Sequence, residues 1–153
     1  MAGPLCLLDT NILLRWVKPD ERDYPLVIQA IERLLQAGTT PCYAAQNVAE
    51  FWNTCTRPLG QNGFGLSPNE ADRRARLFEN KLRLLPDSLA VYQEWRGLIV
   101  RHNVRGVQVH DARLVAVMRV HGVGQILTFN DADFARYSGI QALDPRRLSA
   151  GIP

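Results

Sequence analysis

The chain has 153 residues, 46% hydrophobic and 22% charged. That size and balance exclude a disordered tail, a collagen-like repeat and a coiled coil, and give enough apolar surface for one sizeable core, so a single domain over residues 1–153 is expected. The net charge is +3, and all but two of the 18 cations are arginines; the planar guanidinium suits phosphate, while biased codon usage accounts for the same excess equally well. The apolar runs from Gly3 to Leu8 and from Leu114 to Met118 are too short to span a bilayer, and no basic stretch precedes a long apolar segment at the N-terminus. The expected setting is the cytoplasm, with no membrane partner. Cys6, Cys42 and Cys55 are odd in number and form no Cys-x-x-Cys pair. They read as buried thiols of a reducing compartment.

The elements follow from pattern. Leu5–Leu8 is an apolar run ending at Asp9 and reads as a buried strand. A second apolar segment, Ile12 to Val17, is stopped by Pro19. Val27, Ile31, Leu34 and Leu35 put a helical stripe on Tyr24 to Ala37, closed by Gly38. Cys42 to Ala45 is a second strand, and Gln46 to Arg57 a helix stopped by Pro58. Gly60, Gly63 and Gly65 predict a flexible loop over Leu59 to Leu66. Ser67-Pro68-Asn69-Glu70 is a capping box, opening a helix expected to run to Leu85. Pro86-Asp87-Ser88 starts the next helix, ending near His102. Val107 to Val109 reads as a strand tip, His110 to His121 as a helix closed by Gly122, and Gln125 to Thr128 and Ile140 to Leu143 as the last strands. Strands alternating with helices predict a three-layer α/β/α sandwich around a mainly parallel sheet, with its site at the carboxyl ends of the strands.

Four acidic clusters stand out. Leu8-Asp9-Thr10-Asn11 follows the first strand, where an Asp serves either as a turn and helix cap or as a metal-binding carboxylate. Val48, Phe51, Trp52 and Cys55 give the helix Gln46 to Arg57 an apolar stripe, leaving Glu50 with Gln46, Asn53, Thr54 and Arg57 on the other side, toward solvent or a cleft. Asp111 heads the stripe Leu114, Val115 and Met118 of its own helix. The helix dipole favours an acid in the first turn by about 0.3–1 kcal/mol, which explains an Asp there but not one aimed inward. The fourth cluster, Thr128-Phe129-Asn130-Asp131-Ala132-Asp133-Phe134, again follows a strand. Crowded carboxylates repel unless a cation neutralises them, and hard oxygen donors suit Mg²⁺ or Mn²⁺, not zinc. Arg15, Arg57, Arg101, Arg105 and Arg113 are candidates for RNA backbone contacts, or solvated helix-face residues.

Leu-Asp-Thr-Asn near the N-terminus, the helix Gln46-Asn47-Val48-Ala49-Glu50-Phe51, His110-Asp111-Ala112 and Thr128-Phe129-Asn130-x-x-Asp133-Phe134 together resemble the PIN-domain ribonucleases, and among them the VapC-type toxins of type II toxin–antitoxin pairs. The resemblance runs from Leu7 to about Pro145. It implies that Asp9, Glu50, Asp111 and Asp133 take the places of the family's metal-binding and catalytic acids, with Thr10, Asn11, Thr128 and Asn130 in support. Asn130 stands where many relatives carry Asp, and Asp131 falls at a variable, exposed position. It further implies a Mg²⁺-dependent endoribonuclease leaving 5′-phosphate and 3′-hydroxyl ends, a homodimer, and a cognate antitoxin whose tail brings a basic side chain to the acids.

Two other functions compete. A haloacid-dehalogenase-like phosphatase also begins with an acid after its first strand, but needs Asp-x-Asp where this chain has Asp9-Thr10-Asn11. A catalytically inactive PIN module that binds RNA or protein is the other, and retention of Asp9, Glu50, Asp111 and Asp133 speaks against it. No Walker-type phosphate loop, Ser/His/Asp triad or nucleophilic cysteine is evident.

Overall fold

A computed structural model describes residues 3–148. Five strands form one all-parallel sheet in the order β3-β2-β1-β4-β5. They are β1 (Leu5–Leu8), β2 (Thr40–Ala44), β3 (Arg83–Leu85), β4 (Gln125–Leu127) and β5 (Gln141–Leu143). The helices are α1 (Thr10–Trp16), α2 (Tyr24–Gln36), α3 (Ala45–Thr56), α4 (Pro68–Glu79), α5 (Leu89–Arg101), α6 (Gln108–Val120) and the short α7 (Pro145–Leu148).

Strand alternation divides the core into two layers, as the period of two requires. Cys6, Leu8, Tyr43 and Leu127 face a cluster built by Ile12 and Leu13 of α1, Val27 and Ile31 of α2, Phe51 and Cys55 of α3, and Phe78 of α4. Leu7, Cys42, Ala44 and Ile126 face the other cluster, which holds Val91 and Leu98 of α5 and the run Leu114–Met118 of α6. The three-layer reading of the sequence is therefore borne out, and the sheet is wholly parallel. The three cysteines are buried and free.

Three local expectations are corrected. The helix from Pro68 ends at Glu79 rather than Leu85, and Arg83–Leu85 pairs with β2 in the register Cys42↔Arg83 to Ala44↔Leu85. A three-residue edge strand is too short to show a period of its own, so its leucines merge with the preceding helical pattern. Val107–Val109 is no strand tip. The chain reverses at Gly106, whose φ is +58°, and α6 starts at Gln108, because burying Ala112 and Leu114–Met118 outweighs the β-preference of two valines. The segment Leu59–Leu66 is tied down, not loose. Phe64, Gly65 and Leu66 donate N–H bonds to the carbonyls of Thr54, Arg57 and Cys55 at 2.9–3.0 Å, and a Cβ at Gly63 would collide with the Arg57 carbonyl.

The order of strands fixes where a site can lie. The chain moves outward from β1 to β2 and β3, then returns to place β4 on the other side of β1. The connections diverge at the carboxyl ends of β1 and β4, and a crevice forms at that switch point. Asp9 follows β1 and Thr128 follows β4.

Candidate active site

Asp9 is 8% exposed and caps α1. Its carboxylate accepts from the Thr10 N–H at 2.8 Å, the Thr128 hydroxyl at 2.8 Å and Asn11 Nδ2 at 3.4 Å. Thr128 ties the two strand ends together, because its oxygen also accepts from Asn11 Nδ2 at 3.3 Å and from the Asn130 N–H at 3.0 Å. Asn11 closes the loop from the other direction, its Oδ1 accepting from the Phe129 N–H at 3.3 Å. Asn11 thus braces the β1 and β4 loops against each other.

The second acid is set by a chain of buried amides. Asn47 is fully buried at the start of α3. Its Oδ1 accepts from the Ala44 N–H at 2.8 Å and its Nδ2 donates to Thr10 Oγ1 at 3.2 Å. The Thr10 hydroxyl in turn donates to Glu50 Oε1 at 2.9 Å. The expected stripe on this helix is rotated. Its buried line is Asn47, Phe51 and Cys55, whereas Val48 and Trp52 are half-buried at its flank, and Glu50 sits at the cleft edge. Beside it, buried Gln46 donates to the His110 carbonyl at 2.8 Å and joins α3 to the first turn of α6, where Asp111 lies half-buried.

The four acids act on one another electrically. Burial pushes the Asp9 carboxyl up to about 6; the charges of Glu50 and Asp133 add to this, while the Thr128 and Thr10 bonds oppose it. Asp111 is pushed up to about 7, first by burial and then by Asp9, Asp133 and Glu50. Asp133 belongs to the 3-10 turn Asp131–Phe134 and is exposed at the rim, next to exposed Asn130. Asp131 turns away and pairs with Arg147 at 2.7 Å; it is half-buried, not exposed as its position in the motif suggested.

The arginines are less available than their number implied. Arg15 donates to the Asn11 carbonyl at 2.8 Å and lies 4.6 Å over the Phe129 ring. Arg57 donates to the Asn62 carbonyl, and Arg101 pairs with Glu94 at 3.3 Å. Arg105 is exposed. Arg113 pairs with Asp87 at 3.0 Å and reaches Gln46 Oε1 at 3.5 Å, close to the acids. Reasoning from sequence gave no role to Gln46 and Asn47. Their signal was position, two amides directly beyond the carboxyl end of a strand.

Comparison with known proteins decides the family. The PIN-domain model matches residues 6–140. The chain belongs to the PIN-domain family. Among solved PIN-fold neighbours is VapBC2 from Rickettsia felis bound to a promoter DNA fragment, at 13% identity and TM-score 0.69, covering 92% of this chain and 98% of that one. DNA-bound VapBC from Salmonella typhimurium is 18% identical with TM-score 0.67, covering 94% and 99%. VapC20 of Mycobacterium tuberculosis, described as a Sarcin-Ricin loop cleaving toxin, is 16% identical with TM-score 0.60, covering 88% and 98%. No curated protein sequence matches the chain. Among the described residues, no helix of this PIN-domain chain is long and apolar enough to cross a membrane.

The donor set fits a hard divalent ion in chemistry: carboxylates, hydroxyls and amides, with two of the carboxyls raised first by burial and then by the neighbouring acids. Among the described residues no group of three or more His, Cys, Asp or Glu is placed so as to hold a metal ion. An ion that keeps several waters and binds through one or two carboxylates needs none, which is the habit of Mg²⁺.

Proposed function

We propose that this chain is a metal-dependent endoribonuclease and the toxin of a toxin–antitoxin pair, with Asp9, Glu50, Asp111 and Asp133 as its catalytic and metal-binding acids, in one domain spanning the chain. The observation that carries it is geometric: at the switch point of a PIN fold Thr128, Asn11 and Thr10 hold the buried Asp9 carboxylate, Thr10 also holds Glu50, and Gln46 ties α3 to the turn that bears Asp111, with Asp9 and Asp111 raised first by burial and then by the neighbouring acids. Perturbed acids gathered in a crevice are the usual mark of a working site. VapC neighbours, one of them described as a Sarcin-Ricin loop cleaving toxin, support RNA as the substrate and an antitoxin as the partner.

Mg²⁺, with Mn²⁺ as a substitute, would be held by Asp9 and Asp111 with Glu50 and Asp133 completing the acidic wall; when bound it supplies charge stabilisation for the phosphoryl group and acidifies a water. The protein's own groups do the positioning. Thr128, Asn11 and the Thr10 N–H hold both oxygens of Asp9, so its free lone pairs point one way. Thr10 holds Glu50, and Asn47 holds Thr10. Asp111, half-buried in the first turn of α6 where Gln46 bonds the preceding carbonyl, would complete the acidic wall opposite Asp9. Exposed Asn130 offers an amide to water or phosphate at the rim.

The test is cleavage of a mixed RNA pool with and without Mg²⁺. Metal-dependent cleavage with 5′-phosphate products is expected. Intact RNA at every metal tried would overturn the reading.

A further inference from the structure

Beside the acids lies a cavity of about 690 Å³ between α5 and α6, lined by Asp87, Tyr92, Trp95, Val109, His110 and Arg113 among others. None of the four acids lines it, but hydrogen bonds through Gln46 tie its wall to the cleft. His110 precedes Asp111, the His110 carbonyl takes the Gln46 amide, and Gln46 also meets Arg113. We propose that this cavity seats one nucleobase of the RNA strand next to the bond being cut, so that Tyr92 and Trp95 are substrate-positioning residues; this rests on the endoribonuclease reading.

Four observations point to a base. Trp95 is a fixed wall, its indole N–H donating to the Val109 carbonyl at 2.9 Å. Tyr92 stands edge-on to it, ring centroids 6.5 Å apart at 68°, and is 48% exposed. Exposed aromatic faces stack on unpaired bases regardless of sequence. Asp87 and Arg113, 3.0 Å apart, set an acceptor and a donor side by side, matching the mixed hydrogen-bonding edge of a base better than a phosphate, which Asp87 would repel. Finally, Arg96 donates to the Tyr92 hydroxyl at 2.9 Å with its guanidinium 5.8 Å from the ring centroid, so positive charge that suits a phosphate sits beside the exposed ring. The cavity volume is in the range of pockets that enclose small organic ligands, roughly 300–1,000 Å³.

The test uses steady-state cleavage of a single-stranded RNA by the full chain with Mg²⁺, comparing wild type with Tyr92→Ala and Tyr92→Phe. Tyr92 is exposed, so neither variant should shift thermal unfolding, which is measured alongside. Tyr92→Ala is expected to raise KM about 10-fold with little change in kcat, since one lost base stack falls in that range, and Tyr92→Phe, which gives up only the bond from Arg96, to stay close to wild-type KM by keeping the ring. Ultraviolet crosslinking of the RNA should map to Tyr92 or Trp95. Unchanged KM in Tyr92→Ala, while wild type cleaves RNA, overturns the base pocket and leaves the nuclease reading standing. The same holds if the substitution weakens only a complex with a protein inhibitor, which would make the cavity a peptide site. Absence of any RNA cleavage by wild type overturns both.

Discussion

Replacing Asp9 by Asn should stabilise the metal-free protein at pH 8 while abolishing its activity. The carboxyl titrates at about 6 in the fold against an ordinary value of 3.8. A group raised in the folded state binds protons more tightly there than in the unfolded chain, so stability falls as pH rises between the two values. That gap corresponds to roughly 3 kcal/mol of penalty above pH 6 and about half of that at pH 5. Asn removes the penalty but disturbs two contacts, one good and one weak. Its oxygen still accepts from the Thr10 N–H, whereas its NH₂ takes the place of the oxygen that accepts from the Thr128 hydroxyl at 2.8 Å and from Asn11 Nδ2 at 3.4 Å. The loss of one good hydrogen bond costs about 1 kcal/mol. The net expectation is a gain of about 1–2 kcal/mol at pH 8, shrinking toward zero at pH 5. Urea unfolding in EDTA at the two pH values measures it. Adding Mg²⁺ should narrow the gap by stabilising wild type alone. An Asp9→Asn protein that is less stable than wild type at pH 8, with the same pH slope, would refute the claim that this carboxyl is electrostatically strained.

Asp111→Asn should reduce RNA cleavage at least about 100-fold without unfolding the protein, checked by cleavage rate and circular dichroism side by side. Thr128→Val keeps the shape but strips the donor from Asp9 and the acceptor from Asn11 and Asn130; a loss of about 1–3 kcal/mol in urea unfolding is expected, together with weaker metal dependence. Sedimentation at micromolar concentration should show a homodimer; a monomer alone would count against the assembly that the resemblance implies.

The sheet and most helices were legible because their patterns are long. The run Leu5–Leu8 ending in Asp9 placed the first strand and its acid together, and the capping box at Ser67 placed the start of α4, where Ser67 Oγ accepts from the Glu70 N–H at 3.2 Å. What failed was short or set by tertiary contact. Arg83–Leu85 is a strand only because β2 lies beside it. The line of α3 that faces inward is fixed by Asn47, whose burial follows from two hydrogen bonds to residues distant in sequence or in the preceding strand. Counting apolar positions cannot find a buried amide. For the same reason the acids were each ambiguous alone: a turn Asp, a solvated Glu and a helix-start Asp carry no mark of a site in sequence, and only the strand order shows that Asp9 and Thr128 meet.

The same electrostatics indicate how such a site would be silenced. Burial raises Asp9 and Asp111, and the charges of the neighbouring acids raise them further. A guanidinium placed between carboxylates bonds both oxygens in parallel, restores their ionised form and occupies the position of metal and phosphate at once. The flank of α3 offers an approach to that spot. Tyr43, Val48, Ala49, Trp52 and Leu84 line an apolar groove, with Leu84 46% exposed on the edge strand, and Glu50 lies on the same helix. An amphipathic segment seated there would carry a following basic residue to the acids. The expected outcome is that co-expression with the product of an adjacent small reading frame yields a stable complex with no RNase activity, and that Asp9→Asn or Asp111→Asn weakens that complex although each leaves the fold intact. A complex that forms equally well with both variants, or that leaves cleavage undiminished, would refute inhibition through the acids and move the contact elsewhere on the protein.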